Sequence, residues 1–580
     1  MYGFIGALTL EEKSNVELFT CKYKNNTNVI SDAICCGGFS IKRISLDKFA
    51  NDKVFFEDED TVIVLEGVIY NFADLQNEFC VSDRGKLLKK MYKSMPINEF
   101  LENLNGYFAG VIYDKSERKL VLLTDHITYK PIWYMYDNNI LFFSTDINWL
   151  YKTIKQNNQD LLLDINGAYC LLNYGYMLGD CTPVKNIKKL LAGHILTLDQ
   201  YDISIESYYS LPNPNTDNPE LSEAEYNDLL ERIDKTLKKS IKRVYAKDDE
   251  YGYKHCATLS GGLDSRLVIM LADKLGYKTL CLTMGESTCD DVKISSAICD
   301  KHKWEHLVYE MNNGLYLLDY DSAIVGNGGT ILSPGYLHSY RLKSLVNFDE
   351  YGAIHSGDVG DLVLGGSYLN CYNDGRIDLT LAMYGSLFLD GFTQEFKDVE
   401  TNRYADQYQF HYYNRGLNSA GNGCIATQCF TECSSPFIDK ELLDLMFSVP
   451  YKLLINHKIY IDYLKRFLPE ACEFVWDGIG CRPDASGIRK WLIHYIRAFK
   501  VRILKKNLTM NPYEKWYKNN PELEEMFNGI LEEGEWICNH NEKLYEDITK
   551  RFKSNALMDK SLSSTLIKLI NMYGIKVDNE

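Results

Sequence analysis

The sequence holds no run of the roughly 18 charge-free apolar residues that a membrane span requires. Its opening residues, Met1-Tyr2-Gly3-Phe4-Ile5-Gly6, carry no basic region and no long apolar stretch, so they do not read as a secretory signal. It lacks any CxxC pair of zinc-like spacing: Cys35 and Cys36 are adjacent, and Cys289 and Cys299 are far apart. The 17 cysteines are odd in number and scattered, the pattern of reduced thiols in a cytosolic protein. A cytoplasmic location is therefore expected by elimination. There is no excess of positive charge either. Lys and Arg number 63 against 80 Asp and Glu, a formal charge of −17. Broad binding to nucleic acid or to an anionic membrane is excluded, leaving room only for a local basic groove. No internal repeat and no low-complexity tract occurs.

What is present is an ordinary globular composition, 46% hydrophobic and 25% charged over 580 residues. That length allows roughly two to four domains. A core of this size needs no staples, so disorder and small disulfide scaffolds are excluded as the overall class. Most of the 42 tyrosines are expected in packing.

Residues 1 to about 205 read as short strands with tight turns. Thr61–Leu65, Phe108–Tyr113, Leu120–Thr124 and Asn139–Ser144 are strand runs separated by turn residues such as Asp114-Lys115-Ser116. Leu75–Met95 holds helical stretches, and Pro96 is a stop for them. The expectation is an α+β antiparallel sandwich over residues 1–210. A polar stretch, Leu211 to Pro219, holds three prolines and marks the boundary. Then Leu221–Tyr245 reads as a helix, Tyr253–Leu259 as a strand, and an apolar helix runs through Leu275. A strand at Thr279–Met284 and a helix at Asp291–His302 follow. Alternating strands and helices predict an α/β domain with a parallel sheet over residues 220–510. Helical periodicity dominates from about residue 380, and residues 511–580 are expected as a helical C-terminal extension.

Between strand and helix lies Ser260-Gly261-Gly262-Leu263-Asp264-Ser265. Glycines let backbone approach an anion, and hydroxyls with the free N–H groups of a helix start cradle phosphate oxygens. Asp264 alone would repel phosphate, so its presence implies a bridging Mg²⁺. The lysine of the ordinary GxxxxGK[ST] loop is missing. A ligand-free glycine turn is the plainer alternative, which the strand and helix flanks disfavour.

This string resembles the PP-loop of ATP pyrophosphatases. Leu104-Asn105-Gly106-Tyr107-Phe108-Ala109, with Asp125 and Lys130-Pro131, resembles the N-terminal domain of asparagine synthetases. Ser356-Gly357-Asp358-Val359-Gly360-Asp361 with Gly365-Gly366 resembles their second acidic loop, and Glu432 before Pro436-Phe437-Ile438-Asp439 another of their segments. The matches keep family order over about residues 1 to 480. The chain is thus similar to the asparagine synthetase superfamily, which includes β-lactam synthetases, lasso-peptide cyclases and sugar-carboxylate amidotransferases. The resemblance implies an Ntn-hydrolase-like N-terminal domain before a PP-loop domain. It also implies ATP and Mg²⁺, and a reaction in which a substrate carboxylate is adenylated and an amine or ammonia displaces AMP.

On that resemblance Asp264 and Asp361 would hold Mg²⁺, and Ser260, Gly261, Gly262 and Ser265 the pyrophosphate. Leu259, Met284 and Gly357 would surround the nucleotide. Asp358 falls where asparagine synthetases carry a glutamate; a solvated loop acid is the alternative. Glu432 would orient or deprotonate the amine, or else be a buried acid paired with Arg415. The family lysine expected in Phe474–Pro483 is absent; Arg482 would supply its charge, with Lys490 as a second candidate. A substrate unlike aspartate is expected.

The glutamine-hydrolysing members need cysteine directly after the initiator methionine; here Tyr2 stands there. The family's Asn-Gly-Glu-Ile-Tyr-Asn segment appears as Glu66-Gly67-Val68-Ile69-Tyr70-Asn71, and a carboxylate at Glu66 would repel an oxyanion. Cys21, Cys35 and Cys36 read as core or surface thiols, not as substitutes. A glutaminase-inactive N-terminal domain is expected. Arg497, Lys500, Arg502, Lys505 and Lys506 form a basic run, a solvated face or else a lid over ATP or an anionic carrier.

The expected partners are a small-molecule or peptide carboxylate and an amine donor, with no nucleic acid and no membrane. A homodimer or a partner enzyme is the general expectation for assembly. Two alternatives to an amide-forming ligase are a non-catalytic ATP-binding scaffold and an adenylating enzyme that hands its acyl group to a partner.

Overall fold

The structure, a computed structural model, describes residues 2–10, 16–19, 29–200, 202–213, 219–366, 369, 376–502, 508–554 and 556–578. The first strands are β1 (Gly3–Thr9), β2 (Val29–Cys36), β3 (Phe39–Leu46), β4 (Val54–Glu57), β5 (Thr61–Ile69) and β6 (Gly106–Asp114). They are followed by β7 (Lys119–Thr124), β8 (Ile132–Asp137), β9 (Ile140–Ser144), β10 (Lys188–Leu190), β11 (His194–Leu198) and β12 (Ile203–Ser207). They form two six-stranded antiparallel sheets, ordered β10-β8-β9-β1-β3-β2 and β12-β11-β7-β6-β5-β4.

Side chains alternate between the two faces of a strand, and β5 shows what that does here. Val62 and Val64 point into the space between the sheets, against Phe4, Phe39 and Ile41. Ile63 and Leu65 point the other way, against Leu75, Leu87, Leu88 and Met91. Those four belong to helices α1 (Phe72–Glu78) and α2 (Arg84–Ser94), with α3 (Ile97–Glu102) beyond them. Pro96 stands between α2 and α3, after one helix and before the next. On the outer face of the first sheet lie α4 (Ile147–Gln156) and α5 (Ile165–Tyr174). The result is an α-β-β-α sandwich. The helices at Pro521–Glu533, Glu542–Phe552 and Leu557–Tyr573 share one core with α4 and α5 through Leu566, Ile567, Leu569 and Ile570.

The predicted boundary is less open than its composition suggests. Leu211 is buried, and its N–H reaches the Tyr413 hydroxyl at 3.3 Å; residues 214–218 lie outside the described residues. Helix α6 (Glu223–Glu250) then starts on a capping box, in which Ser222 and Glu225 satisfy each other's backbone N–H groups. Strands β13 (Lys254–Thr258), β14 (Thr279–Gly285), β15 (His306–Glu310), β16 (Tyr351–His355) and β17 (Cys433–Ser434) form a parallel sheet ordered β15-β14-β13-β16-β17. Between them run α7 (Asp264–Lys274), α8 (Asp290–His302), α9 (Tyr320–Asn327) and α10 (Ser333–Lys343), and α11 (Gly360–Leu364) follows β16. The chain leaves β13 toward β14 on one side and later returns to β16 on the other. In open α/β sheets a crevice forms at such a reversal, beyond the carboxyl ends of the strands.

Asp248 of α6 fastens those two strands from below. Its carboxylate accepts from His355 at 2.8 Å and from the Ala353 N–H at 2.9 Å, and it lies 3.1 Å from His255 Nδ1. Among the described residues, no helix is long and apolar enough to cross a membrane.

One buried ion cluster joins the sandwich to the parallel sheet. Glu432 lies 3.0 Å from Lys53 and 3.0 Å from Lys130, all three nearly inaccessible. This corrects the expected partner. Arg415 instead stacks over Tyr384 at 5.0 Å and reaches the Ala382 carbonyl. It also corrects the expected role, because a carboxylate held between two ammonium groups and sealed from solvent cannot meet an incoming amine. Removing one partner of a buried pair costs about 3–5 kcal/mol, so Glu432→Gln is expected to lower the unfolding free energy by about that amount in urea titrations. Burial opposes ionisation, but the two lysines win and hold the Glu432 carboxyl at about 2 against its ordinary 4.5. The folded-state value is the depressed one. The stabilisation is therefore complete above pH 4.5 and is lost as pH falls toward 2. The difference between parent and variant should shrink over that window.

Candidate active site

The loop after β13 closes on itself. The Ser260 N–H donates to Ser265 Oγ at 3.0 Å, the two serine hydroxyls lie 3.0 Å apart, and the Gly262 N–H donates to Ser260 Oγ at 3.2 Å. No side chain caps α7, so no cap side chain competes for the N–H groups of its first turn. The Gly261 carbonyl is held from behind by Arg266 at 3.0 Å. The same fully buried guanidinium donates to the carbonyls of Ala471 at 2.8 Å and Val475 at 2.7 Å. Burial pulls Arg266 down to about 10, still protonated at neutral pH. It is a clamp that sequence reading did not single out.

The second acidic loop follows β16. Gly357 and Gly360 bring it against the first. A Cβ at Gly357 would lie 2.4 Å from the Ser265 nitrogen, and one at Gly360 would lie 2.6 Å from Asp264 Cγ. Between them Val359 is held at φ 61°, a left-handed conformation that β-branched residues rarely adopt. The loops touch at their acids. The Asp361 N–H donates to one Asp264 oxygen at 3.1 Å, and the buried Tyr460 hydroxyl donates to the other at 2.9 Å. Burial, then the charge of Asp361, pushes the Asp264 carboxyl well above the usual carboxylate range. Asp361 is open to solvent on one side, and the protein crowded around it raises its carboxyl too. Asp291, which accepts from the Gly261 N–H at 3.1 Å, is raised to about 6 by burial and by Asp477.

A cleft of about 510 Å³ opens beside these loops, within the range of small-molecule sites. Of the sequence-predicted residues, Leu259, Ser260, Gly262, Asp264, Ser265 and Met284 line it, as do Gly357 and Asp358. Gly261 sits behind the loop with its N–H turned to Asp291, and Asp361 adjoins Asp264. Burial raises the Asp358 carboxyl. Glu432 and Arg482 do not line the cleft. Arg482 is bound to the Cys472 carbonyl at 2.8 Å and pairs with Asp484 at 3.3 Å, so it does not provide the missing lysine's charge there. Phe474–Pro483 does reach the loop, but through backbone: the Asp477 N–H donates to the Gly261 carbonyl at 3.2 Å. In the basic run, Lys505, Lys506 and the side chains of Lys500 and Arg502 lie outside the described residues; Arg497 pairs with Asp290 at 3.3 Å.

Two basic lining residues were missed. Lys343 ends α10, is buried, and donates to Ser339 Oγ at 2.7 Å, to the Gly423 carbonyl at 2.8 Å and to Thr427 Oγ1. His338, one turn before it, keeps a buried Nδ1 without a hydrogen-bond partner; burial, then Lys343, lowers it to about 4, so the ring is neutral. No motif in the sequence marks either residue, because α10 mixes polar and apolar side chains along its length.

The glutamine amidotransferase domain model matches residues 28–209 and the asparagine synthase model residues 232–422. The chain belongs to the asparagine synthetase superfamily. Within this superfamily it is 26% identical over 350 residues to an asparagine synthetase of Methanocaldococcus jannaschii, covering 56% of this chain and 64% of that one. It is 26% identical over 301 residues to asparagine synthetase 2 of Bacillus subtilis, covering 48% and 38%. Both are named as glutamine-hydrolysing. The chain thus spans less than two thirds of the length of these relatives. A glutamine phosphoribosylpyrophosphate amidotransferase structure from Bacillus subtilis aligns with 47% of this chain and 51% of its own, at 9% identity and a TM-score of 0.22.

The contact between the two loops is testable. An added methyl at a site without room costs about 1–3 kcal/mol, and about 1.4 kcal/mol is tenfold in affinity. Gly360→Ala is expected to weaken Mg–ATP binding about tenfold by calorimetry. Gly487→Ala, where a Cβ would meet nothing within 4 Å, should leave it unchanged.

Proposed function

We propose that this chain is an ATP-dependent ligase that forms an amide bond with release of AMP and pyrophosphate. The observation that carries the reading is the meeting of Asp264 and Asp361 at the carboxyl ends of β13 and β16. Two crowded carboxyls beside a phosphate-sized loop repel each other and repel ATP. A divalent cation reverses both effects, and the all-oxygen donor set suits Mg²⁺. Asp264 and Asp361 would hold it, and it would supply charge neutralisation of the leaving pyrophosphate.

The chain's own groups account for the remaining steps. Ser260, Gly262, Ser265 and the uncapped start of α7 bind the β and γ phosphates. Leu259 and Met284 pack on the adenosine. A substrate carboxylate oxygen then attacks the α-phosphorus, the bond to the bridging oxygen breaks, and pyrophosphate leaves. The amine attacks the acyl carbon of the resulting acyl-adenylate, AMP departs with the acyl oxygen's electron pair, and the amine's proton passes to Asp358. Burial raises that carboxyl, which strengthens it as a proton acceptor. The reading places residues 1–210 as a supporting domain, 220–510 as the ATP domain, and 511–580 as an extension.

We also infer that the chain does not hydrolyse glutamine. The residue just before β1 is the buried Tyr2, which offers no thiol. Glu66 is buried in β5, accepts from Ser45 at 3.0 Å and lies 3.7 Å from Arg43. A carboxylate committed to that pair gives nothing to an oxyanion.

The test is coupled detection of pyrophosphate and AMP from ATP, with carboxylic acids and ammonia or amines supplied. Release is expected to require an acid, and Asp264→Asn is expected to slow it roughly 100-fold or more. Tight ATP binding with no release for any acid would leave a scaffold. Glutamate formed from glutamine would overturn the second inference.

A further inference from the structure

Most of the cleft wall has nothing to do with phosphate. Leu332, Tyr384, Met510, Tyr513 and Met558 are among its lining residues. Three of these come from the last 71 positions, beyond the residues that the asparagine synthase model matches. They are fixed in place. Tyr384 donates to or accepts from Ser419 at 3.1 Å, Tyr513 packs on the buried Trp516 at 5.7 Å, and Met510 reaches the end of β14 beside Gly285. The C-terminal helices therefore build part of the pocket in which the reacting acid must sit.

The charged groups of that pocket are few. Among the described residues lining the cleft, Lys343 is the one cation, and no arginine is present. Its three N–H donors are taken by Ser339, Gly423 and Thr427, and no described carboxylate lies within ion-pair distance. It can draw a negative charge toward it but has no donor left for a second carboxylate. An acid of the aspartate kind brings two carboxylates and an ammonium. One carboxylate reacts; the other needs a fork of donors, which arginine provides and this wall does not. Set against this wall of methionine, leucine and tyrosine, that second carboxylate would exchange its water for a few neutral donors, such as Ser419 and Asn511, and no cation.

We propose, resting on the ligase reading above, that the acid adenylated here is a monocarboxylic acid with an apolar alkyl or aryl body. The body lies against Leu332, Tyr384, Tyr513 and Met558, and the charge of Lys343 draws the single carboxylate toward the α-phosphate. Lys343 thereby takes up the electrostatic task that the stretch Phe474–Pro483 leaves undone.

ATP–pyrophosphate exchange decides it, because exchange reports adenylation without an amine. The full chain is assayed with octanoate and 3-phenylpropionate on one side, and aspartate and glutamate on the other. Exchange with an apolar acid at least tenfold faster than with either dicarboxylate is expected. Met558→Lys, which sets an ammonium in the apolar wall, should cut the apolar rate at least tenfold with ATP affinity retained. Faster exchange with aspartate or glutamate overturns the proposal and leaves the ligase reading standing, as does an unaltered apolar rate in Met558→Lys. No exchange with any of the four acids, ATP binding being intact, overturns the ligase reading and this proposal with it.

Discussion

The junction of two acidic loops, where the Asp361 N–H donates to the Asp264 carboxylate, organises this molecule. Asp264 and Asp361 meet because Gly357 and Gly360 leave no Cβ between their loops, and because β13 and β16 are neighbours in the sheet. Like charges in a crowded pocket raise each other's protonation. Everything around the pair is arranged to hold that arrangement in place. Arg266 grips the first loop from behind, Tyr460 donates to Asp264 from the side, and Asp248 ties both strands together from beneath. The backbone at Val359 is held in a conformation its side chain disfavours. Such a site has a physical rationale when a cation and a polyanion occupy it together.

The N-terminal sandwich separates the packing that makes the fold from the few positions that could carry chemistry. Its two sheets and their flanking helices are complete, with apolar side chains alternating on both faces of β5. Tyr2 fills the head of β1, and Glu66 is absorbed into the pair with Arg43, which also binds Asp32. Packing is distributed over many residues, whereas a nucleophile and an oxyanion donor are single positions, so the second can change without disturbing the first.

The sequence made local features legible and distant ones obscure. The strand at Thr61–Leu65, the helix through Tyr245 and the loop Ser260–Ser265 each announce themselves by period, capping or glycine within a few residues. The two acidic loops could be paired because each carries its own pattern. Glu432 could not be read, since its partners Lys53 and Lys130 lie more than 300 residues away in sequence. Lys343 and His338 had no motif around them; only the folded chain turns that end of α10 into a cleft wall. Met510, Tyr513 and Met558 were legible as helix or loop residues, but nothing local told that they return to the centre of the molecule. Arg482 shows the reverse error: a plausible charge in the right segment, turned outward to Asp484.

The cluster of Glu432 with Lys53 and Lys130 has a bearing on how such a chain can change over time. Its acid belongs to one half and its two bases to the other, sealed where water does not reach. Halves exchanged with those of a relative would match only if all three positions travelled together. A half grafted from elsewhere would strand a buried charge at this seam unless it brought the matching groups with it.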